Sequence, residues 1–426
     1  MYKKSLITGI TGQDGCVRTR SECSVLFIGT LLNEEIMEKY EIKYPFLAGN
    51  IQQRSYIESL IEAGINVELL TTIITYRKKG AYYPKNTVID PELNVRIEIS
   101  PLIELTEIRF LTPIIKSIQT IFWALLATFS LLNLTKNRKY DFILFYNFLP
   151  FTVFPAIVAR ILFGIPIVII YNDSYIGTES IQRRSLAKIL TQTFNRFIDG
   201  GFCVNKPLEK LLKTKNTIII RGYPSIGMPY ELPSCVHKSD KIVVMFSGMF
   251  DRIRGIDLFL EIIPEINKEM DGVEFWITGY GPDYDRIDKI LSSITETNVK
   301  FFGTLPYKEF TKRIVSADIL MNLQNPNSPE STYNFPSKLL DFMSAGKIII
   351  STDMSDLREY FSEILIIDGC DSNDITVTLI NTIKDLNIFQ KYGHNGRNWV
   401  LENCNHKRRS EQIISIFARA YRDETE

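Results

Sequence analysis

The sequence of 426 residues contains little histidine, no closely spaced cysteine pair and no excess of charge of either sign. Its three histidines, His237, His394 and His406, lie in polar stretches away from any strand-end motif, which argues against histidine-based catalysis. Acidic and basic residues number 49 each, so the chain lacks the electrostatic footprint of a nucleic-acid-binding protein. We therefore expect no nucleic-acid partner and a reaction that does not depend on a histidine base.

Cysteine usage points to a reducing compartment. The six cysteines are scattered along the chain: Cys16, Cys23, Cys203, Cys235, Cys370 and Cys404. Without a C-x-x-C pair they fit neither a disulfide framework nor a zinc site. The first fifteen residues also lack the continuous apolar region of a secretory signal. We predict a cytoplasmic protein without a bound metal.

The sequence has one apolar run that could be a membrane-associated segment, IQTIFWALLATFSLLNL at residues 118–134. It contains polar side chains and falls short of the roughly 20 apolar residues that span a bilayer, which favours a buried or interfacial helix. Lys136, Arg138 and Lys139 follow directly. Cations there suit a helix end that touches anionic lipid, and equally a solvated helix C-terminus. We predict at most a peripheral contact with the cytosolic face of the inner membrane.

The stretch SLITGITGQDG, residues 5–15, has the glycine spacing of a phosphate-binding loop at Gly9, Gly12 and Gly15. Such a loop needs a following helix whose N–H groups point at the anion. The next residues show no apolar stripe at helical spacing, and a new strand begins at Ser24. Residues 1–15 resemble the N-terminus of GDP-mannose 4,6-dehydratases, but the resemblance stops at Gly15. We predict that residues 1–23 are an orphan segment, dispensable for folding and activity.

After Ser24, short apolar strands alternate with helical patterns, which predicts an α/β fold with parallel sheets. Strands in the first half read SVLFIGT, NVELLTT, NVRIEIS, DFILFYN, PIVIIYN, GGFCVN and TIIIRG. The second half restarts with KIVVMFSG, VEFWITG, VKFFG, DILMNLQ, KIIIST and ILIID. We predict two doubly wound Rossmann-like domains facing across a cleft. Their predicted boundaries are 24–222 and 241–400, with a proline-containing linker at 223–240 and a C-terminal helix at 401–426 that can pack back on the first domain.

The most informative stretch is YNFPSKLLDFMSAGKIIIST, residues 333–352. Pro336 suits the first position of a helix, where its missing N–H costs nothing. On that helix Ser337, Lys338 and Asp341 share one face. A helix start with a lysine suits a phosphate, and Asp341 can accept hydrogen bonds from ribose hydroxyls. The alternative is an ordinary lysine–aspartate pair on a helix surface.

Four segments in the second half carry a family resemblance. FSGMFDRIRGIDLFLE, WITGYGPDYDRI, VKFFGTLPYKEFTKRIVSADILMN and FPSKLLDFMSAGK follow one another between residues 241 and 352. Their order and spacing resemble the donor domain of retaining family 4 (group 1) glycosyltransferases, which have the GT-B fold. Upstream, AGNIQQRSYIESLIEAG resembles the glycine loop and first helix of that family's acceptor domain.

The resemblance implies roles for single residues of the donor domain. Arg254 matches the basic residue that contacts the donor diphosphate, and Gly248 matches the glycine that lets the backbone lie beside the phosphates. Gly279 and Gly281 match the turn near the nucleotide base. As structural elements alone, these glycines would simply be turn residues and Arg254 a solvated loop side chain.

Four further positions show how far the family pattern extends. Asp341 matches the second acid of the family's acidic pair, which holds the ribose, whereas the first acid falls at Tyr333 and is absent. In the acceptor domain, Gly49 matches a loop glycine beside the donor phosphates. Asp173 matches a polar position that faces the reacting sugar; its alternative is a turn or helix-cap aspartate. The resemblance and the lysine at the helix start together assign catalytic roles to Asp173, Arg254 and Lys338.

A D-x-D pair, Asp283 and Asp285, is the sequence's one apparent metal motif. It follows Gly281–Pro282 and opens a predicted helix, where acids favour the helix dipole. We expect no metal here.

The predicted function is a metal-independent retaining glycosyltransferase of the hexosyltransferase type. Its expected donor is a nucleoside-diphosphate sugar, with no further cofactor. Its expected acceptor is a saccharide or a lipid-linked oligosaccharide in surface polysaccharide, lipopolysaccharide or O-antigen synthesis. Two alternatives stay open: an NADP-dependent sugar-nucleotide dehydratase using the Gly9–Gly15 loop, and a noncatalytic homologue that only binds a sugar nucleotide.

Overall fold

The computed structural model describes residues 23–33, 36–37, 47–73, 81–104, 112–178, 180–233, 240–294, 296–367 and 370–422. The chain divides into two compact units. The first contains the residues up to Arg221 together with those from His406 onward, and the second runs from Gly222 to Asn405. The Gly9–Gly15 loop and residues 1–22 of the predicted orphan segment lie outside the described residues. Cys23, the last residue of that predicted segment, is buried in the core of the first unit, and its carbonyl oxygen accepts from the N–H of Asn66 at 2.9 Å, so the predicted boundary at 23 is corrected.

The first unit is built on a parallel sheet flanked by helices. Its elements up to Arg221 are β1 (Ser24–Gly29), α1 (Leu47–Glu62), β2 (Asn66–Thr71), β3 (Ala81–Tyr83), β4 (Asn86–Asp90), β5 (Val95–Ile99), β6 (Leu102–Glu104), α2 (Thr112–Asn137), β7 (Phe142–Tyr146), α3 (Pro150–Phe163), β8 (Ile167–Tyr171), α4 (Ile181–Phe194), β9 (Gly200–Cys203), α5 (Lys206–Glu209) and β10 (Thr217–Ile219).

The strand order of this sheet is β10-β9-β8-β7-β1-β2-β5-β4, and β3 pairs with β6 in a separate ribbon. β4 is antiparallel to β5, and the remaining neighbours in the large sheet are parallel. β7 and β8 are buried along their whole length, as their uninterrupted apolar sequences predict. β3, β4 and β6 were not predicted from the sequence; they are short or lie at the edge of a sheet.

The second unit repeats this architecture. Its elements are β11 (Ile242–Met249), α6 (Ile256–Glu269), β12 (Val273–Tyr280), α7 (Tyr284–Ser293), β13 (Val299–Phe301), α8 (Tyr307–Ser316), β14 (Ile319–Asn322), α9 (Pro329–Thr332), α10 (Lys338–Ser344), β15 (Ile348–Thr352), α11 (Leu357–Tyr360), β16 (Leu365–Ile367), α12 (Ser372–Lys384) and α13 (Leu386–Asn403). All strands are parallel, in the order β13-β12-β11-β14-β15-β16. The chain reverses its direction of travel between β11 and β14, the point where open α/β sheets bind ligands.

The last helix, α14 (His406–Arg422), belongs to the first unit. Phe417 stacks on Phe142 of β7 with ring centroids 4.1 Å apart. Arg409 is buried over the ring of Tyr56, at 5.0 Å from its centroid. The predicted boundary at residue 400 falls inside α13, because that helix continues to Asn403 and the chain changes unit only after Asn405.

The helix α2 is longer than its apolar run predicts. It covers 26 residues, and within the described residues Ile115–Asn137 is the one stretch long and apolar enough to cross a membrane by length and composition. The expectation that this helix is too short to span was therefore wrong. Trp123, Ala127 and Leu131 on one side of it are nevertheless buried in the first unit.

Candidate functional site

The site in the second unit is formed where β11 and β12 end beside the loop after β14. Gly255 has φ of +85°, and a Cβ there would lie 2.0 Å from the carbonyl oxygen of Leu323, so only glycine fits. A Cβ on Gly279 would lie 2.1 Å from the carbonyl oxygen of Gly248. One on Gly281 would lie 2.6 Å from that of Phe250. These glycines bring the strand ends close together at the switch point.

Lys338, the first residue of α10, points its side chain at the end of β11. Its Nζ donates to the carbonyl oxygen of Ser247 at 3.0 Å and lies 5.1 Å from the ring centroid of Phe246. A Cβ on Gly248 would be 3.4 Å from the same Nζ. Burial and, to a smaller extent, the nearby positive charge of Arg254 together lower the pKa of Lys338 to about 7, while the charge of Asp251 acts in the opposite direction. Lys338 is therefore a half-buried amine beside a second cation.

Arg254 occupies the loop between β11 and α6 and is held by partners from the loop after β14. Its Nη1 donates to Oε1 of Gln324 at 2.8 Å, and its Nη2 donates to Oε1 of Glu330 at 2.7 Å. The backbone N–H of Arg254 donates to Oδ1 of Asp251 at 2.7 Å. Ser331 accepts a hydrogen bond from the amide of Gln324 at 2.9 Å, which fixes that side chain in turn. Arg254 is thus oriented by three side chains.

Asp341, in contrast, is committed to the structure of the second unit. It is only 4% exposed, and its Oδ2 accepts from the hydroxyl of Ser225 at 2.6 Å. Its Oδ1 accepts from the N–H of Ser225 and, at 3.1 Å, from that of Ile226. Burial raises the pKa of Asp341 to about 6, although these three hydrogen bonds favour the ionised carboxylate. The carboxylate holds the turn that begins the second unit.

In the first unit, polar residues follow β7 and β8 at the carboxyl edge of the sheet. Asn147 adopts a left-handed conformation with φ of 55°. Its Oδ1 accepts from the N–H groups of Asn172 and Asp173 at 2.8 and 3.1 Å. Burial raises the pKa of Tyr146, and the charge of nearby Asp173 raises it further. Ser174, and not Asp173, caps the short helix that follows.

Comparison with known proteins identifies the second unit. A family model described as "Glycosyl transferases group 1" matches residues 241–385, which include the glycines, Arg254 and Lys338. Residues 241–385 form a group 1 glycosyltransferase domain. The predicted family resemblance is thereby confirmed for this segment.

Individual relatives agree with this assignment. An uncharacterized glycosyltransferase of Methanocaldococcus jannaschii is 22% identical over 58% of this chain and 62% of its own length. The GPI3 subunit of phosphatidylinositol N-acetylglucosaminyltransferase from Saccharomyces cerevisiae is 25% identical over 44% of this chain and 43% of its own. The chain thus spans less than two thirds of the length of these relatives.

Solved structures establish the fold. A sucrose-phosphate synthase from Thermosynechococcus elongatus has a TM-score of 0.69 at 15% identity, covering 94% of this chain and 100% of its own. Anabaena HepE in complex with UDP and glucose has a TM-score of 0.63 at 13% identity, covering 92% of this chain and 98% of its own. The predicted α/β class and GT-B fold are confirmed.

Within the glycosyltransferase domain, the predicted residues fall into two groups. Gly248, Gly279, Gly281, Arg254 and Lys338 lie together at the switch point, and their roles toward a ligand stay predictions. Asp341 lies in the same domain but is turned toward the 225–226 backbone. The interpretation of Asp341 as an available ribose ligand, paired with Lys338 on an open face, is therefore corrected. The two side chains contact different partners.

The start of α10 also differs from the prediction. The helix begins at Lys338, and Pro336 and Ser337 form the turn before it, with their carbonyl oxygens accepting from Leu339 and Leu340 at 2.9 and 3.0 Å. These are one-turn bonds of the tight type common at helix ends.

The structure also describes Tyr333 and Gly49, of which Gly49 lies elsewhere than expected. Tyr333, the position of the missing acid, is half-buried at the end of α9. Gly49 lies in the first turn of α1 and not in a loop, and its carbonyl oxygen accepts from Gln53 at 3.2 Å.

The predicted linker, residues 223–240, is in part an ordered segment of the second unit. Its described residues up to 233 belong to the second unit, where Ser344 donates to the carbonyl oxygen of Gly227 at 2.6 Å and Arg397 donates to that of Pro229 at 3.1 Å. Irregular, proline-containing sequence here reflects a backbone fixed by side chains from α10 and α13.

Glu330 is the site residue that sequence reasoning missed. It lies three positions before Tyr333, on a four-residue helix, and contacts Arg254. The sequence does contain this acid close to the position of the family's first acid. Because Glu330 lies three residues before that position, a match by spacing does not find it.

In the D-x-D pair, Asp283 accepts from Arg286 at 2.9 Å, and Asp285 lies in the first turn of α7. Within the described residues no cluster of histidine, cysteine, aspartate and glutamate could hold a metal ion.

Proposed function

We propose that the protein is a retaining glycosyltransferase that moves a hexose from a nucleoside-diphosphate sugar to a saccharide acceptor. The observation that carries this proposal is the pair of cations, Lys338 and Arg254, beside Gly248 at the switch point of a group 1 glycosyltransferase domain. Lys338, which is half-buried and has a lowered pKa, and its neighbour Arg254 can together bind a doubly charged anion. A diphosphate is such an anion.

The chemistry follows from where charge develops. In the proposed reaction, the bond between the anomeric carbon and the diphosphate oxygen breaks, and the oxygen keeps the electron pair. The acceptor hydroxyl bonds to the anomeric carbon from the same face, and its proton passes to the departing phosphate oxygen. Lys338 and Arg254 stabilise the growing negative charge, which is the kind of fixed electrostatic help that enzymes use most.

The remaining predicted residues take supporting roles in this proposal. Gly248, Gly279 and Gly281 leave room for the diphosphate and the base, and the turn at Pro336 and Ser337 borders the phosphates. The proposal keeps the roles toward the donor sugar that the family resemblance implies for Asp173, Gly49 and Tyr333. We do not carry forward a ribose contact for Asp341, because its oxygens are already occupied by Ser225 and Ile226.

For the acceptor we propose a lipid-linked oligosaccharide used in surface polysaccharide, lipopolysaccharide or O-antigen assembly, met at the cytosolic face of the inner membrane by a cytoplasmic, peripherally bound enzyme. Relatives named as phosphatidylinositol N-acetylglucosaminyltransferase subunits support a lipid acceptor. The helix α2, with its long apolar sequence, supports contact with a membrane.

A donor screen followed by a transfer assay tests the proposal. One UDP- or GDP-sugar should raise the melting temperature, since a ligand at 100 times its dissociation constant adds about 2.7 kcal/mol of stability. With that donor and a saccharide acceptor, NMR of the product should show the anomeric configuration of the donor sugar.

Each other outcome contradicts a defined part of the proposal. An inverted product rules out retention. Stabilisation without any transfer favours a noncatalytic sugar-nucleotide-binding protein. Tight NADP binding that is lost on removal of residues 1–22 favours the dehydratase alternative.

A further inference from the structure

Three successive helices of the first unit cover one face of its sheet. The crossovers through α2, α3 and α4 all move in the same direction along the strand order, from β5 to β7, β8 and β9. Because such crossovers are right-handed, the three helices lie on the same face. α2 packs against α3, and α3 against α4. The helix α1 steps the opposite way and covers the other face, where it packs against α14.

This three-helix face exposes large apolar side chains. On α2 they form a single stripe at helical spacing, between 42% and 62% exposed: Ile118, Ile121, Phe122, Leu125 and Phe129. The end of α3 adds Ile161, Leu162 and Phe163, and α4 adds Ile181, Leu186 and Ile189. Single exposed apolar residues are ordinary, but a continuous stripe beside two further groups marks an interaction surface.

The charged side chains of the three helices themselves are all cations, and one of them, Arg160, is paired with Asp199 at 3.1 Å. None of the three helices contains an aspartate or a glutamate, although the chain has 49 such residues in 426. Their cations are Lys116, Lys136, Arg160, Arg183, Arg184 and Lys188. In a chain of zero net charge, acids are missing where the exposed apolar side chains are concentrated. A bilayer with anionic headgroups complements both properties at once.

The packing of α2 decides between lying on a membrane and crossing it. Trp123 and Ala127 on its inner side belong to the core of the first unit, together with strand residues such as Phe142. A helix that crossed the bilayer would have to leave that core. α2 is also about 39 Å long at 1.5 Å per residue, which offers an extended edge for contact in the membrane plane.

We propose that the three-helix face, α2 with the end of α3 and α4, docks in the plane of an anionic lipid bilayer. The exposed stripe of α2 enters the boundary between headgroups and acyl chains, and Lys136, Arg183, Arg184 and Lys188 bind the headgroups. This proposal rests on the membrane contact proposed above and specifies the protein surface and the lipid charge involved. It does not depend on the sugar-transfer chemistry.

Co-sedimentation of the full chain with vesicles tests this. We expect binding to vesicles of phosphatidylcholine with phosphatidylglycerol, weaker binding to phosphatidylcholine alone, and release at high salt. Leu125→Asp with Phe129→Asp should lower the partition coefficient more than tenfold, because each side chain loses its apolar burial. The matched control is Val377→Asp with Ile388→Asp, at similarly exposed positions of the second unit, and should bind normally.

A charge-reversal pair tests the headgroup contacts separately, because it leaves the apolar stripe of α2 unchanged. Lys136→Glu with Lys188→Glu should lower binding by about 25-fold or more, at roughly fivefold per lysine. Lys289→Glu with Lys407→Glu makes the same change of charge outside the face and should have little effect. All variants should keep the wild-type melting temperature and their transfer rate to a water-soluble acceptor, which separates this test from that of the proposed function.

Three results would overturn the proposal. The first is absence of binding to anionic vesicles. The second is a dimer of the wild-type chain that the α2 variant dissociates while vesicle binding persists, which would make a second copy the occupant. The third is retention in the bilayer at alkaline pH and high salt without aggregation, which would make α2 a membrane-spanning helix.

Discussion

At the scale of single residues, Lys338 and Arg254 depend on partners far away in sequence. Lys338 reaches the carbonyl oxygen of Ser247, 91 residues earlier, and Arg254 reaches Glu330, 76 residues later. The motif FPSK identifies Lys338 from sequence alone. The pKa of Lys338 is lowered by burial and by the nearby charge of Arg254. Neither cause can be predicted from the residues next to Lys338 in the sequence.

Glu330 is a positioning residue, since it acts through Arg254. Glu330→Ala removes a charge-assisted hydrogen bond of about 1.5–3 kcal/mol, so kcat/KM for the donor should fall by roughly 10- to 100-fold. Glu330→Gln keeps an oxygen acceptor for Arg254 and should restore most of this loss. Glu309→Ala, which removes an exposed partner of Lys312, is the matched control. If Gln is as damaging as Ala, the charge of Glu330 matters and not its hydrogen bond.

At the scale of elements, α10 connects the candidate site to the start of its own unit. Its first residue contacts β11, while Asp341 and Ser344 bind the 225–227 turn. The sequence predicted this helix and its inward apolar residues correctly. It could not tell which polar residues face a ligand, because the turn that occupies Asp341 lies 116 residues earlier.

Asp341→Ala should destabilise the second unit. It leaves the buried N–H groups of Ser225 and Ile226 without an acceptor, at about 1–3 kcal/mol each, which predicts a fall in Tm of roughly 5–15 °C. Asp341→Asn keeps the acceptor and should melt near the wild-type temperature at pH 7 with an unchanged donor KM. A raised donor KM in Asp341→Asn, with normal stability, would instead support a ribose contact. Asp288→Asn, on the exposed side of α7, is the control.

The raised pKa of Asp341 adds a pH signature to the same measurement. Between the unfolded value near 3.8 and the folded value of about 6, the native state binds more protons than the unfolded state. The contribution of Asp341 to the free energy of unfolding therefore falls as pH rises through that window. Melts of Asp341→Asn should lack this component.

At the scale of the whole molecule, two repeated sheet architectures were readable from sequence because buried parallel strands are long apolar runs. Strands such as β8 and β11 fall within a residue or two of their predicted ends. The edge strand β4 was missed, because its alternating exposure weakens the apolar signal. The change of unit near the C-terminus was predicted at residue 400, five residues before its place after Asn405.

The central claim is that a cation at Lys338 stabilises a departing diphosphate, and the pH dependence of kcat/KM for the donor tests it most directly. Wild-type kcat/KM should fall above about pH 7, by at most tenfold per pH unit, as Lys338 loses its proton. Lys338→Met should be about 100- to 1000-fold slower at low pH and lack this fall, whereas Lys338→Arg should keep its charge at every pH. A Lys338→Met enzyme with near-wild-type kcat/KM and an unchanged pH profile would contradict the claim.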